Sequence, residues 1–201
     1  MPLKNLTKED ILAGLTRLSE LAQKEDVTLE VSIYGGALMM LAYDARQTTK
    51  DVDAIIRPPD VGRRLVAKVA RERGWHDDWL NDNVKQFVST VETRDAWTPP
   101  GLNAPAIKIT KPTAKYLLAM KVMACRKSLP GYAGDEADIA FLLKKMTLKK
   151  ASEVNRIVDQ YFPDTVLPAA TLAVIEKLLT PSHEQSPSLP PQNRQSGGRS
   201  R

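Results

Sequence analysis

Apolar residues recur at Ile11, Leu12, Leu15, Leu18 and Leu21, a spacing that gathers them on one face of a helix over 6–24, with Thr7 placed to cap it. The period then changes. Leu29, Val31 and Ile33 alternate with Glu30, Ser32 and Tyr34, which predicts a half-buried strand over 28–34. Gly35-Gly36 breaks it, and ALMMLAY (37–43) reads as a short buried helix. DVDAIIR (51–57) predicts a second strand, stopped by Pro58-Pro59. Asp60 is then expected to cap a helix running through Arg73 and closed by Gly74.

Residues 75–85 are polar with two tryptophans and read as a loop leading into a short helix. Two further strands are expected at 87–92 and 106–110, joined by a Pro/Gly-rich loop over 97–105. From Pro112 the period is helical, with helices near 113–127, 135–145, 150–161 and 168–179. The expected fold class is α+β: a small mixed sheet with flanking helices over 1–110, then a helical half over 111–180. Residues 181–201, rich in Ser, Pro, Gln, Gly and Arg without an apolar period, are expected to be a disordered tail.

Composition narrows the chemistry. With 42% hydrophobic and 26% charged residues, 201 residues suffice to bury a core. No apolar run approaches the roughly 18 residues that span a bilayer, so no membrane partner is expected. The start shows no secretory signal, and Cys125 is the single cysteine, so a reducing cytoplasm is the expected setting. Two histidines and one cysteine cannot build a usual structural zinc site, which leaves hard ions held by carboxylates. Of the formal +5 charge, the last 21 residues hold three Arg and one Glu, leaving +3 on the body. That is a mild bias toward anionic partners, equally consistent with an ordinary basic protein.

The stretch YGGALMMLAYDARQTTKDVDAIIRPP (34–59) carries the chemistry. Gly35 and Gly36 let backbone approach a phosphate and open a helix N-terminus. Asp51 and Asp53 fall on one face of the second strand, where paired carboxylates repel unless a cation lies between them. Magnesium, or manganese, suits them because it takes oxygen ligands and bridges to substrate phosphates. The plainer alternative is a turn followed by a solvated strand end. Lys121 interrupts an apolar helix and must snorkel, pair with a carboxylate or meet an anionic ligand. Arg126 could serve a phosphate or complement the helix C-terminus. Asp135 follows Gly134 and suits an N-cap; Asp138 could pair with a cation. Trp75, Trp79 and Phe87 could stack on bases, though an apolar patch over the sheet edge is the simpler reading, and Cys125 reads as core.

The order Gly-Gly, helix, then Arg46, Thr49, Asp51 and Asp53 in an Arg-x-x-Thr-x-Asp-x-Asp run resembles the minimal nucleotidyltransferases of the polymerase-beta-like superfamily. It more closely resembles a bacterial nucleotidyltransferase family related to the AbiEii-type toxins of toxin–antitoxin and phage-abortive systems. DDWLNDNVKQF (77–87), YLLAMKVMACR (116–126) and DEADIAFLL (135–143) continue the likeness, which covers roughly residues 8–165. It implies a polymerase-beta-like sheet, an NTP substrate, and metal on Asp51 and Asp53. It further implies triphosphate beside Gly35 and Gly36, with Arg46, Thr49, Lys121 and Arg126 on the nucleotide side. Lys121 falls where relatives carry a phosphate-contacting lysine, and Asp138, or its neighbour Asp135, where they carry a functional aspartate that could act as a base. The activity implied is transfer of NMP to an RNA 3′ end, tRNA foremost, as the toxin of a toxin–antitoxin pair with a cognate antitoxin protein. Two alternatives stand beside it: AMP transfer to a partner protein, and a non-catalytic nucleotide-binding, antitoxin-like module. The chain departs from the pattern where Gly36 replaces the usual serine, and where Ile107-Lys108-Ile109 offers no third carboxylate, leaving Glu92 as the nearest substitute.

Overall fold

The computed structural model describes residues 5–128 and 134–180; the expected tail over 181–201 lies outside the described residues. Helix α1 (Lys8–Lys24) starts with a reciprocal cap in which Thr7 and Asp10 each bond the other's backbone N–H. Strand β1 (Leu29–Ile33) leads directly into α2 (Gly35–Tyr43), and β2 (Val52–Arg57) into α3 (Pro59–Arg73). Gly74 closes α3 in the left-handed conformation, as expected. There follow β3 (Leu80–Asn81), a short 3-10 helix (Asn83–Phe87), β4 (Arg94–Ala96) and β5 (Ile107–Pro112). Helices α4 (Ala114–Ala124), α5 (Glu136–Lys145), α6 (Ala151–Tyr161) and α7 (Ala169–Leu179) complete the order. The fold is therefore mixed α+β, with a five-stranded mixed sheet and flanking helices.

The sheet order is β3-β2-β1-β5-β4. β1 runs antiparallel to β2 and parallel to β5, while β4 closes the far edge antiparallel to β5. The register separates two faces. Leu29, Val31, Ile33, Val52, Ala54 and Ile109 form an apolar face. Helix α3 lies so close to it that a Cβ on Gly62 would meet Ile56 at 2.6 Å. The other face carries Ser32 and Thr110, hydrogen-bonded to each other at 2.8 Å, and the side chains of Tyr34 and Asp53. In the helical half, α4 packs against both α5 and α6. No helix among the described residues is long and apolar enough to cross a membrane.

Four local expectations are corrected. The strand over 28–34 is not half-buried, because Ser32 and Tyr34 on its polar face are covered too. Asp60 does not cap α3; Pro58 holds that position, and Asp60 sits in the first turn paired with Arg63. The strand expected at 87–92 is absent: Phe87 ends the 3-10 helix, and Arg94–Ala96 takes the open edge of β5 instead. Cys125 is the half-buried left-handed cap of α4 rather than a core residue.

Candidate functional site

Asp51 and Asp53 stand at the start of β2, next to the point where β1 passes into α2. The backbone N–H of Tyr34 donates to the carbonyl of Asp53 at 2.8 Å, which ties the two strand ends together. Gly35 has φ +62 and a Cβ there would lie 2.2 Å from Asp53 Oδ2, so only glycine lets the helix start against this carboxylate. Asp51 accepts a hydrogen bond from Asn81 Nδ2 at 3.1 Å, and its carbonyl accepts one from Thr49 Oγ1 at 3.1 Å. The Asp53 carboxyl is pushed above its ordinary range by burial and then by the charge of Asp51; Arg126 and Lys121 offset this only in part.

These carboxylates open into a cleft of about 980 Å³ walled on the other side by α4 and the end of α6. Gly35, Asp51, Asp53, Lys121 and Arg126 all line it, so five of the expected site residues converge there. Gly36, Arg46, Thr49 and Asp138 do not. Arg46 instead forks onto Asp138 at 2.6 and 2.8 Å and donates to the carbonyl of Gly134 at 2.9 Å. It clamps the α2–β2 connection to α5. Asp138 is 1% exposed, and besides Arg46 it holds Lys121 Nζ at 2.7 Å. Its carboxylate is thus committed to Arg46 and Lys121 and does not itself line the cleft, an arrangement that suits positioning of Lys121.

Lys121 resolves its three open readings by pairing with carboxylates. It is buried on α4 with Asp135 at 2.8 Å as well as Asp138. Asp135 occupies the N-cap position of α5 without capping it, because Lys121 and Arg126 take its oxygens. Arg126 binds Asp135 at 2.9 Å and still keeps 57% of its side chain exposed at the cleft. Burial alone would raise the Asp135 carboxyl, but the Arg126 hydrogen bonds and the Lys121 charge bring it from 3.8 to about 2. A depressed carboxyl contributes stability above its unfolded value that is lost as pH falls through its folded one. Unfolding at stepped pH is expected to show a loss of about 2 kcal/mol between roughly pH 4 and pH 2 that Asp135→Asn flattens.

Gly36 is tightly packed. A Cβ on Gly36 would meet Thr49 Oγ1 at 3.0 Å and the Arg46 guanidinium at 3.4 Å, so the clamp occupies that space. Gly36→Ser is expected to lower stability by about 1 kcal/mol in urea titration. Glu92 does not supply a third carboxylate to the cleft. It accepts from Tyr34 OH at 3.0 Å and pairs with Arg94 at 2.9 Å. Among the described residues, no cluster of three or more metal-ligating side chains forms.

Of the three aromatic candidates, Trp75 and Trp79 pack edge to face against each other and lie against Gly14 of α1, not as a patch over the sheet edge. Phe87 does not join them and is 61% exposed at the cleft. Sequence reasoning also missed Asn81, whose amide orients Asp51, and the Val88–Thr90 segment that forms one wall. The 77–87 block was the signal available for Asn81; Val88–Thr90 lies just beyond it. No protein-family model, curated protein or solved structure matches this chain.

Proposed function

We propose that this chain is a metal-dependent nucleotidyltransferase with a polymerase-beta-like sheet, moving NMP from an NTP to an acceptor hydroxyl. The observation that carries the reading is the convergence of Gly35, Asp51 and Asp53 with Arg126 and Lys121 around one cleft. Two adjacent carboxylates, one pushed up by burial and by its neighbour, fit one hard cation whose remaining ligands come from water and phosphate. Asp51 and Asp53 would hold magnesium or manganese, which would supply charge neutralisation on the phosphates. The glycine start of α2 directs backbone N–H groups toward phosphate oxygens. The acceptor hydroxyl attacks the α-phosphorus in line, its proton passing to solvent, as the bond to the β-phosphate breaks and pyrophosphate leaves. Arg126, the more exposed cation, meets the developing phosphate charge, whereas Lys121 sets the local potential from its buried pairs.

The RNA acceptor, tRNA above all, and the toxin role with a cognate antitoxin rest on the family resemblance alone. A non-catalytic nucleotide-binding module is the second reading, favoured by the commitment of Glu92 to Tyr34 and Arg94. Incubation with each α-labelled NTP, magnesium and total RNA separates the two. Label on RNA that requires metal supports the transferase, and label on protein moves the acceptor to a partner chain. Binding without transfer of label to either favours the module.

A further inference from the structure

Within the transferase reading, we propose that Phe87 and Met123 form the subsite for the base of the incoming nucleotide, gripping it by stacking and apolar contact. Among the cleft's lining side chains, charge is confined to Asp51, Asp53, Lys121 and Arg126; the others are apolar or neutral. A triphosphate fits the first group, and a flat, weakly polar ring fits the second. The volume of about 980 Å³ lies within the range that holds a nucleotide-sized ligand.

Phe87 is an unusual residue to leave in water. A single exposed apolar side chain is ordinary, but Phe87 at 61% and Met123 at 38% expose two large ones in the same cleft. The chain does not leave Phe87 out for want of anchoring. Val84, one turn earlier, is buried. Two residues later the Ser89 N–H donates to Tyr116 OH at 2.7 Å, and Ser89 Oγ donates to the carbonyl of Tyr161. The backbone is pinned on both sides of Phe87, which presents the ring at the cleft. An aromatic face and a thioether accept any base, because every base has a π-face. Binding strength is therefore expected to follow stacking area, purines ahead of pyrimidines, with little further discrimination.

Calorimetric titration of the full chain with magnesium plus ATP, or magnesium plus inorganic tripolyphosphate, tests this. ATP is expected to bind at least about tenfold more tightly than tripolyphosphate, and Phe87→Ser to remove about that factor for ATP while leaving tripolyphosphate unchanged. Phe87→Tyr is expected to retain ATP affinity, and an unchanged melting temperature for each variant excludes a folding cause. Unaltered ATP affinity in Phe87→Ser overturns the subsite, and if a short RNA is weakened instead, the ring serves the acceptor. Equal loss of both ligands also overturns it. Failure of the natural protein to bind either ligand removes the transferase reading and this subsite together.

Discussion

Asp138→Ala is expected to lower the unfolding free energy by about 3–5 kcal/mol, the usual range for removing one partner of a buried ion pair. Lys121→Met, on the other side of the same pair, is expected to cost only about 1–2 kcal/mol. The difference follows from charge balance. Arg46, Lys121 and Arg126 surround Asp135 and Asp138, so the cluster carries three cations against two carboxylates. Removing Lys121 leaves each carboxylate with its own arginine, and methionine keeps the packing of the lysine stem. Removing Asp138 leaves Asp135 as the one carboxylate of the cluster and takes both forked bonds from Arg46. Lys121, 5% exposed, cannot recover that loss from water. Urea unfolding at neutral pH measures both variants, and the reverse order would remove Asp138 from its place as keystone of the cluster. Asp138→Asn is expected to fall between them, since it keeps an acceptor and loses the charge.

Much of this architecture was legible because its causes are local. The helical spacing of Ile11 to Leu21, the alternation in Leu29 to Ile33 and the left-handed cap at Gly74 each depend on neighbours within a few residues. The Asp51–Asp53 pair was legible for the same reason, as strand geometry alone puts alternate residues on one face. What could not be read depends on contacts between distant segments. Arg46 and Asp138 are 92 residues apart, and nothing near Arg46 distinguishes a carboxylate clamp from a phosphate ligand. Lys121 showed only that it needed a partner, since Asp135 lies 14 residues further along the chain. Phe87 was misread for a related reason. Its hydrophobic character suggested the start of a strand and part of an apolar patch, but the segment is held by anchors at Tyr116 and Tyr161, far along the chain.

The second large effect belongs to Asp53. If the chain is the proposed transferase, Asp53→Asn is expected to reduce nucleotidyl transfer by about a thousandfold, the upper range for losing one charge-stabilising group in a preorganised site. Its effect on the fold is expected to be opposite. Without metal, Asp53 is a partly buried carboxylate beside Asp51, and burial and that neighbour both work against its charge. Such a carboxyl weakens the fold at neutral pH, so the amide is expected to melt at the same temperature or higher in chelator. Magnesium reverses the order. A ligand that binds only the folded state raises stability by about 2.7 kcal/mol at a hundred times its dissociation constant, and the variant lacks half of the pair that would hold it. Thermal melts with and without magnesium are therefore expected to show a metal-dependent rise in the natural protein and almost none in Asp53→Asn. Gly35→Ala gives the same readout by another route. Its Cβ would lie 2.2 Å from Asp53 Oδ2 on a backbone with φ +62, so the carboxylate must move although both aspartates remain. Equal stabilisation of all three proteins by magnesium would place the metal elsewhere. Unfolding of Asp53→Asn in chelator would make Asp53 a structural residue and not half of a metal site.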